Sequence, residues 1–172
     1  MKFFIIPFFL LFFETSWATM SPRMYSIMVQ MSGTIKENSR SDESTQYNNK
    51  IGIDLLYLVR GGPTFGGRYL IESRNQLETE VGEGYGPVAG YYWENGTFIL
   101  VNYDILAKLG RWRNGEGFQA EIGYVEHIGN RYHIGFKYSQ RDVTYKTDLL
   151  DNTAEKKRII ERFPAIVFMY LF

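Results

Sequence analysis

Two histidines, His127 and His133, are the only imidazole groups in a chain of 172 residues that contains no cysteine. Thiol catalysis, disulfides and cysteine-ligated metal sites are therefore impossible. A catalytic histidine needs a nucleophile within hydrogen-bond reach. If 132–139 is a strand, Ser139 shares the face of His133, but six residues along a strand span roughly 20 Å. A serine could approach only from another strand, and we predict no catalytic residue.

Metal and cofactor sites have equally weak support. Two histidines six positions apart are a poor metal site, and the acidic residues between 148 and 155 lack the spacing of a calcium loop. The 19 Lys and Arg residues balance the 19 Asp and Glu residues, so the chain has no basic excess with which to bind phosphates. The sequence predicts no cofactor, no metal and no nucleic-acid partner.

The residues that could interact chemically are charged side chains spaced two apart and interleaved with glycine. This spacing predicts a strand with one charged face, on which glycines leave room for long side chains. Because unpaired charges are costly in a confined interior, we expect them to pair with one another. The predicted network consists of Asp54, Arg68, Glu72, Asp104, Glu121, Lys137 and Arg141.

Eight alternating segments carry these residues, and the composition, with 13 Tyr, 13 Phe and 17 Gly, is typical of strands. The connections after the second, fourth and sixth segments are short, whereas the others are longer and polar. This pattern predicts an all-β, antiparallel, up-and-down barrel of eight strands. The segments are 24–32, 49–60, 65–74, 84–93, 99–105, 118–125, 132–139 and 164–172, and the long loops are 33–48, 73–83, 107–117 and 140–157.

The amino terminus has the pattern of a secretory signal peptide. Lys2 precedes an apolar run over 3–13, and small residues stand before a cut after Ala18. The run is too short, and Pro7 too disruptive, for a membrane-spanning helix. We predict a cleaved peptide over 1–18 and one barrel domain over 19–172.

The orientation of the two faces decides between a membrane barrel and a soluble one. An eight-stranded barrel has an interior only just wide enough for side chains to fill it, which disfavours placing the bulkier apolar face inside. We therefore predict a transmembrane barrel with the apolar face towards lipid. The predicted lipid-facing residues include Ile53, Tyr69, Tyr91, Val101, Ile122, Phe136 and Phe168. A soluble, lipocalin-like barrel that binds an apolar ligand would invert the faces and is the competing hypothesis.

The last segment carries a further pattern, with Ile166, Phe168, Tyr170 and Phe172 at alternate positions. This resembles the terminal signature of bacterial outer-membrane barrels, and the mature chain resembles the small eight-stranded superfamily, similar in plan to the OmpX and OmpA transmembrane-domain group. The resemblance implies a monomer in the outer membrane of a Gram-negative-type bacterium. It also implies contacts with outer-membrane lipid and lipopolysaccharide, and recognition of these four residues by the barrel assembly machinery.

The resemblance leaves the activity open. Some barrels of this superfamily modify lipid A with a His-x-Ser pair, a spacing that neither His127 nor His133 has. The sequence favours a side-chain-filled lumen with a structural, adhesive or envelope-protective role. Two further hypotheses are a narrow porin-like pore and a lipid A-modifying enzyme.

Overall fold

The computed structural model describes residues 23–36, 46–59, 62–75, 79–150 and 156–172. The predicted signal peptide over 1–18 lies outside these residues. Eight strands, each antiparallel to its neighbours, close into a barrel in sequence order. The predicted all-β, up-and-down, eight-stranded antiparallel fold is therefore confirmed. The strands are β1 Arg23–Lys36, β2 Gln46–Val59, β3 Pro63–Asn75, β4 Thr79–Tyr92, β5 Thr97–Leu109, β6 Trp112–His127, β7 Tyr132–Asp148 and β8 Lys157–Leu171.

The two ends of the barrel differ in the connections between strands that they carry. We call the end that carries the connections 60–62, 93–96 and 128–131 the turn end, and the opposite end the loop end. At the second of these turns Trp93 and Gly96 close the hairpin, with the Gly96 amide donating to the Trp93 carbonyl at 3.0 Å. Gly96 has a φ of 86°, which favours glycine because it has no Cβ. Among the described residues, no helix is long and apolar enough to cross a bilayer.

The barrel closes where β1 meets β8. Tyr25 and Phe172 exchange two backbone hydrogen bonds, of 3.1 and 2.9 Å, so even-numbered residues of β8 direct their backbone polar groups at β1. The ladder between these strands ends where Met31 lies opposite Ile166. Pro164, which has no N–H to donate, lies just beyond that point. A proline is therefore tolerated inside β8, because its strand position needs no donor towards β1.

The strands extend further towards the loop end than the alternation predicts. Much of the predicted loop 140–157 is strand, because β7 continues to Asp148 and β8 begins at Lys157. The predicted loops 33–48, 73–83 and 107–117 shorten in the same way. Beyond the apolar exterior both faces of a strand carry polar side chains. The alternation of polar and apolar residues therefore disappears from the sequence, although the strands remain paired by backbone hydrogen bonds. The barrel wall is thus taller than its apolar part.

Several inward-facing glycines lie where the backbone of a neighbouring strand approaches closely, and Gly86 on β4 provides a test. A Cβ at Gly86 would overlap the backbone carbonyl oxygen of Tyr103 on β5, an atom that cannot move without the strand. We expect Gly86→Ala to lower the free energy of unfolding by about 1–3 kcal/mol, measured by urea titration of refolded barrel. Gly67→Ala is the control, since its Cβ would meet only the Gly86 carbonyl oxygen at 3.9 Å. Equal losses in the two variants would contradict the steric explanation.

Candidate functional site: the barrel interior

The two faces of the wall differ sharply in chemistry. All seven predicted network residues point into the barrel and are 3% exposed or less. The seven predicted lipid-facing residues point outward, with exposed fractions from 37% at Tyr91 to 56% at Ile122. Ile166, Phe168 and Phe172 also lie exposed on the outer face of β8, where Tyr170 is partly buried.

Near mid-height of the barrel, four charged side chains form what we call the lower network, namely Asp54, Arg68, Glu121 and Lys137. Arg68 lies at its centre, and its Nε donates to Asp54 at 2.6 Å. Its Nη1 donates to Glu121 at 2.6 Å, and Lys137 forms an ion pair with the same carboxylate. Two cations thus balance two carboxylates, and each guanidinium edge faces a carboxylate in the planar geometry that favours Arg.

Closer to the loop end lies a second set, the upper network, which comprises Lys50, Glu72, Arg74, Asp104, Arg141 and Glu161. Arg141 donates to Glu72 and to Asp104, both at 2.9 Å. Glu72 also accepts from Arg74 at 2.8 Å, and Lys50 pairs with Glu161. Three cations balance three carboxylates, so each network is electrically neutral by itself.

Apolar layers lie beyond the two networks at both ends. Towards the turn end Phe98 stacks on Tyr92 with ring centroids 6.2 Å apart. Around these rings pack buried aliphatic and methionine side chains. A smaller cluster that includes Trp112 and Tyr145 lies towards the loop end. The interior therefore runs from apolar, through two ion-pair networks, to apolar again.

Space inside the barrel is almost completely filled. An interstice lined by Gln30, Lys50, Leu70 and Phe163, among others, is too small to hold a water molecule. A roomier groove of about 380 Å³ lies on the outer wall instead, beside Tyr69, Glu83 and Lys108. The side chains of the two networks and of the apolar layers thus occupy the middle of the cylinder.

Ion pairs also lie on the outer wall near the loop end, but these are exposed. Lys108 bonds to Glu83 at 2.6 Å, and their side chains are 48% and 40% exposed. Arg158 likewise bonds Asp142, and this hydrogen bond holds the pKa of the Asp142 carboxyl below its usual range. Water screens such pairs, so they contribute little to stability compared with those inside.

Aromatic rings form a nearly continuous band around part of the turn end. Tyr25 contacts Tyr57 at 5.0 Å and Phe172 at 6.0 Å between ring centroids. The band continues through Tyr57 to Phe65 and through Phe172 to Tyr170. Five strands are thereby linked on the outside, because Tyr170 also contacts Tyr132.

The two histidines meet at the turn end. His127 is the last residue of β6, and its Nδ1 lies 3.3 Å from Nε2 of His133. Ser139 hydrogen-bonds Glu121, at 3.3 Å, rather than a histidine. In the described part of the chain, no three His, Asp or Glu side chains form a group that could hold a metal ion.

Sequence reasoning missed three of the ten charged members of the two networks. Lys50 lies in the predicted segment 49–60, and Arg74 lies in the predicted segment 65–74. Each is an even number of residues from a predicted network member, Asp54 or Arg68, so strict alternation could have placed both inside. Glu161 lies in the part of β8 that precedes the predicted segment. Asp148, which falls in the predicted polar loop 140–157, is instead 2% exposed at the end of β7 and pairs with Arg111 at 3.0 Å.

Comparison with known proteins adds little to this geometry. No known family matches the sequence, and no curated protein matches it. The chain is similar to two solved structures of OmpT from Vibrio cholerae, an outer membrane protein. In each case the identity is 11%, and the TM-scores are 0.36 over 87% of this chain and 0.33 over 86% of it. The chain spans about half the length of those structures, since it covers 52% of each.

Proposed function

We propose that the chain is an integral outer-membrane barrel of a Gram-negative-type bacterium, monomeric and closed by its own side chains. Its role is structural, adhesive or protective towards the envelope. The observation that carries this proposal is the combination of an apolar exterior with a charged, neutralised interior. In a soluble barrel the two faces would be exchanged.

The size of the exterior apolar surface supports a lipid environment. Soluble monomers rarely expose contiguous apolar patches larger than a few hundred Å². Here exposed apolar side chains follow one another on all eight strands, as at Tyr25, Leu55, Tyr85 and Phe136. Contact with hydrocarbon carries no free-energy penalty for such a surface. In water the same exposed apolar side chains would favour aggregation.

Strand lengths and the aromatic band agree with the same environment. The strands have 13 to 17 residues, and about 9–11 tilted residues cross a bilayer. The remaining residues project beyond the lipid at the loop end, where Asp142 and Arg158 face outward. The band of Tyr and Phe rings lies at the turn end, and aromatic girdles mark the two membrane interfaces in such barrels.

The contacts of the protein follow from this placement. The outer wall binds outer-membrane lipid, and the charged groups near the loop end, such as Lys108 and Arg113, face the lipopolysaccharide head groups. The barrel assembly machinery recognises the outer face of β8 at Ile166, Phe168, Tyr170 and Phe172. Heat-modifiable gel migration of the membrane fraction tests the placement, because a folded barrel migrates differently before and after boiling. Recovery of the protein in the periplasm would contradict it.

If the lumen is closed, the barrel should not conduct ions. Purified barrel in planar bilayers is expected to show no discrete conductance steps, since the neutral networks and apolar layers leave no path for hydrated ions. The control is a porin reconstituted in the same bilayers, which must conduct. Reproducible unitary steps from this chain would instead support a narrow pore.

A further inference from the structure

We propose that His127, His133 and Met169 form a binding site for a monovalent copper ion at the turn end of the barrel. This site is independent of the envelope role proposed above. It arises from the position of the two histidines on a tight hairpin and from the methionines beside them.

The hairpin between β6 and β7 brings the imidazoles together. The Ile128 amide donates to the Tyr132 carbonyl at 2.9 Å, so residues 128 and 132 occupy a hydrogen-bonded position of the ladder. His127 lies opposite His133 at the next position, which is non-hydrogen-bonded. Side chains approach closest at such positions. The backbone therefore holds the two rings together before any ion binds.

The separation of the nitrogens suits one shared ion. Nδ1 of His127 lies 3.3 Å from Nε2 of His133. Two imidazole nitrogens bound at 2.0–2.1 Å to one tetrahedral ion are about 3.4 Å apart. An ion bound by both nitrogens would take the place of the hydrogen bond between the rings and would keep the two nitrogens at nearly the same separation. The 71° angle between the ring planes keeps them from stacking face to face.

The neighbouring ligands select a soft ion. On β8 Met169 lies directly opposite His133, and Met28 on β1 lies opposite Met169. Both methionines are buried, facing the interior. On β2 the residue opposite Met28 is Asp54, whose charge Arg68 already neutralises. Thioethers favour monovalent copper, whereas magnesium and calcium require carboxylate or carbonyl oxygens.

The site is reachable from the turn end. His133 is 8% exposed, and His127 is only partly buried at the end of its strand. Met169 belongs to the apolar layer at the turn end, and the lower and upper networks lie between this layer and the loop end. An ion would therefore enter from the compartment that the turns face and would not cross the barrel.

The chain contains two histidines and no cysteine, so no other imidazole and no thiolate can compete for copper. Full-length mature barrel without a polyhistidine tag is refolded in detergent and titrated anaerobically with monovalent copper against a chromophoric chelator. We expect one equivalent to bind. His127→Gln and His133→Gln should each lower the affinity at least about tenfold.

A methionine comparison separates this site from a plain imidazole pair. Met169→Leu keeps the side-chain volume and should also lower the affinity for monovalent copper about tenfold. Met31→Leu is the matched control, since Met31 is 50% exposed on the outer wall, and its affinity should equal that of the wild type. Unchanged binding in Met169→Leu, or in a variant that carries both His127→Gln and His133→Gln, would overturn the proposal.

Spectroscopy of the unaltered protein tests the same ligands without relying on variants that fold. Copper K-edge absorption of the wild-type complex should show nitrogen neighbours together with at least one sulfur. A first shell of nitrogen and oxygen alone would overturn the assignment of Met169, and so would failure of the wild-type barrel to bind copper.

Discussion

Replacing Arg68 by Ala should lower the free energy of unfolding of the barrel by about 3–5 kcal/mol. The guanidinium donates to both Asp54 and Glu121, and all three side chains are fully buried. Its removal leaves the lower network with one cation, Lys137, for two carboxylates that are buried away from bulk solvent. The measurement is urea titration of refolded protein, with the fraction folded read from heat-modifiable gel mobility.

The matched control is Lys108→Ala, which removes a cation of the outer wall. Lys108 pairs with Glu83 where both side chains are nearly half exposed. Exposed pairs contribute between about 0 and 1 kcal/mol, so this variant should unfold almost like the wild type. Similar losses in the two variants would mean that the interior is wetter than the structure indicates, and would contradict a lumen sealed by ion pairs.

The fold was predictable because a barrel wall has two chemically different faces. Along β7 the bulky outward side chains Tyr132, Phe136 and Tyr138 alternate with His133, Lys137 and Ser139. Such a contrast fixes both the strand period and the register, since a slip of one residue would exchange the faces. The number of strands followed from the number of contrasting segments.

The same reasoning fails where the contrast ends. Near the loop end of β7 the exposed or half-buried residues Asp142 and Lys146 are as polar as the buried Arg141 and Asp148. Nothing in such a segment distinguishes a strand from a polar loop, although its backbone bonds continue. The boundaries of the wall, and with them Glu161 and its place in the upper network, therefore required the structure.

Pairing partners are a second limit, because they depend on which strands lie across the lumen. The inward positions of Arg68 and Glu121 follow from alternation, but these residues are 53 apart in sequence and lie on β3 and β6. Likewise, the histidines can be assigned separately to a turn and to an inward face, but their contact depends on the hairpin register. Chain spacing alone does not give either juxtaposition.

The contrast between buried and outward-facing apolar residues can be measured on one strand of the wall. Phe98 on β5 is 0% exposed, and its ring lies over Gly123, the residue opposite it on β6. The next residue, Ile99, points outward and is 41% exposed. Truncating Ile99 to Ala removes methylene groups from an exposed surface that the surrounding medium can refill, whereas truncating Phe98 leaves a void inside the barrel that no side chain of the wall fills.

Phe98→Ala should therefore lower the free energy of unfolding by about 3–5 kcal/mol, and Ile99→Ala by clearly less, in the same urea titration. The planar-bilayer conductance of Phe98→Ala should nevertheless stay at zero, because the lower and upper networks still fill the lumen above the cavity. Unitary conductance in this variant would mean that the apolar layer alone seals the barrel. The charged networks would then be stabilising elements of the wall rather than part of its plug.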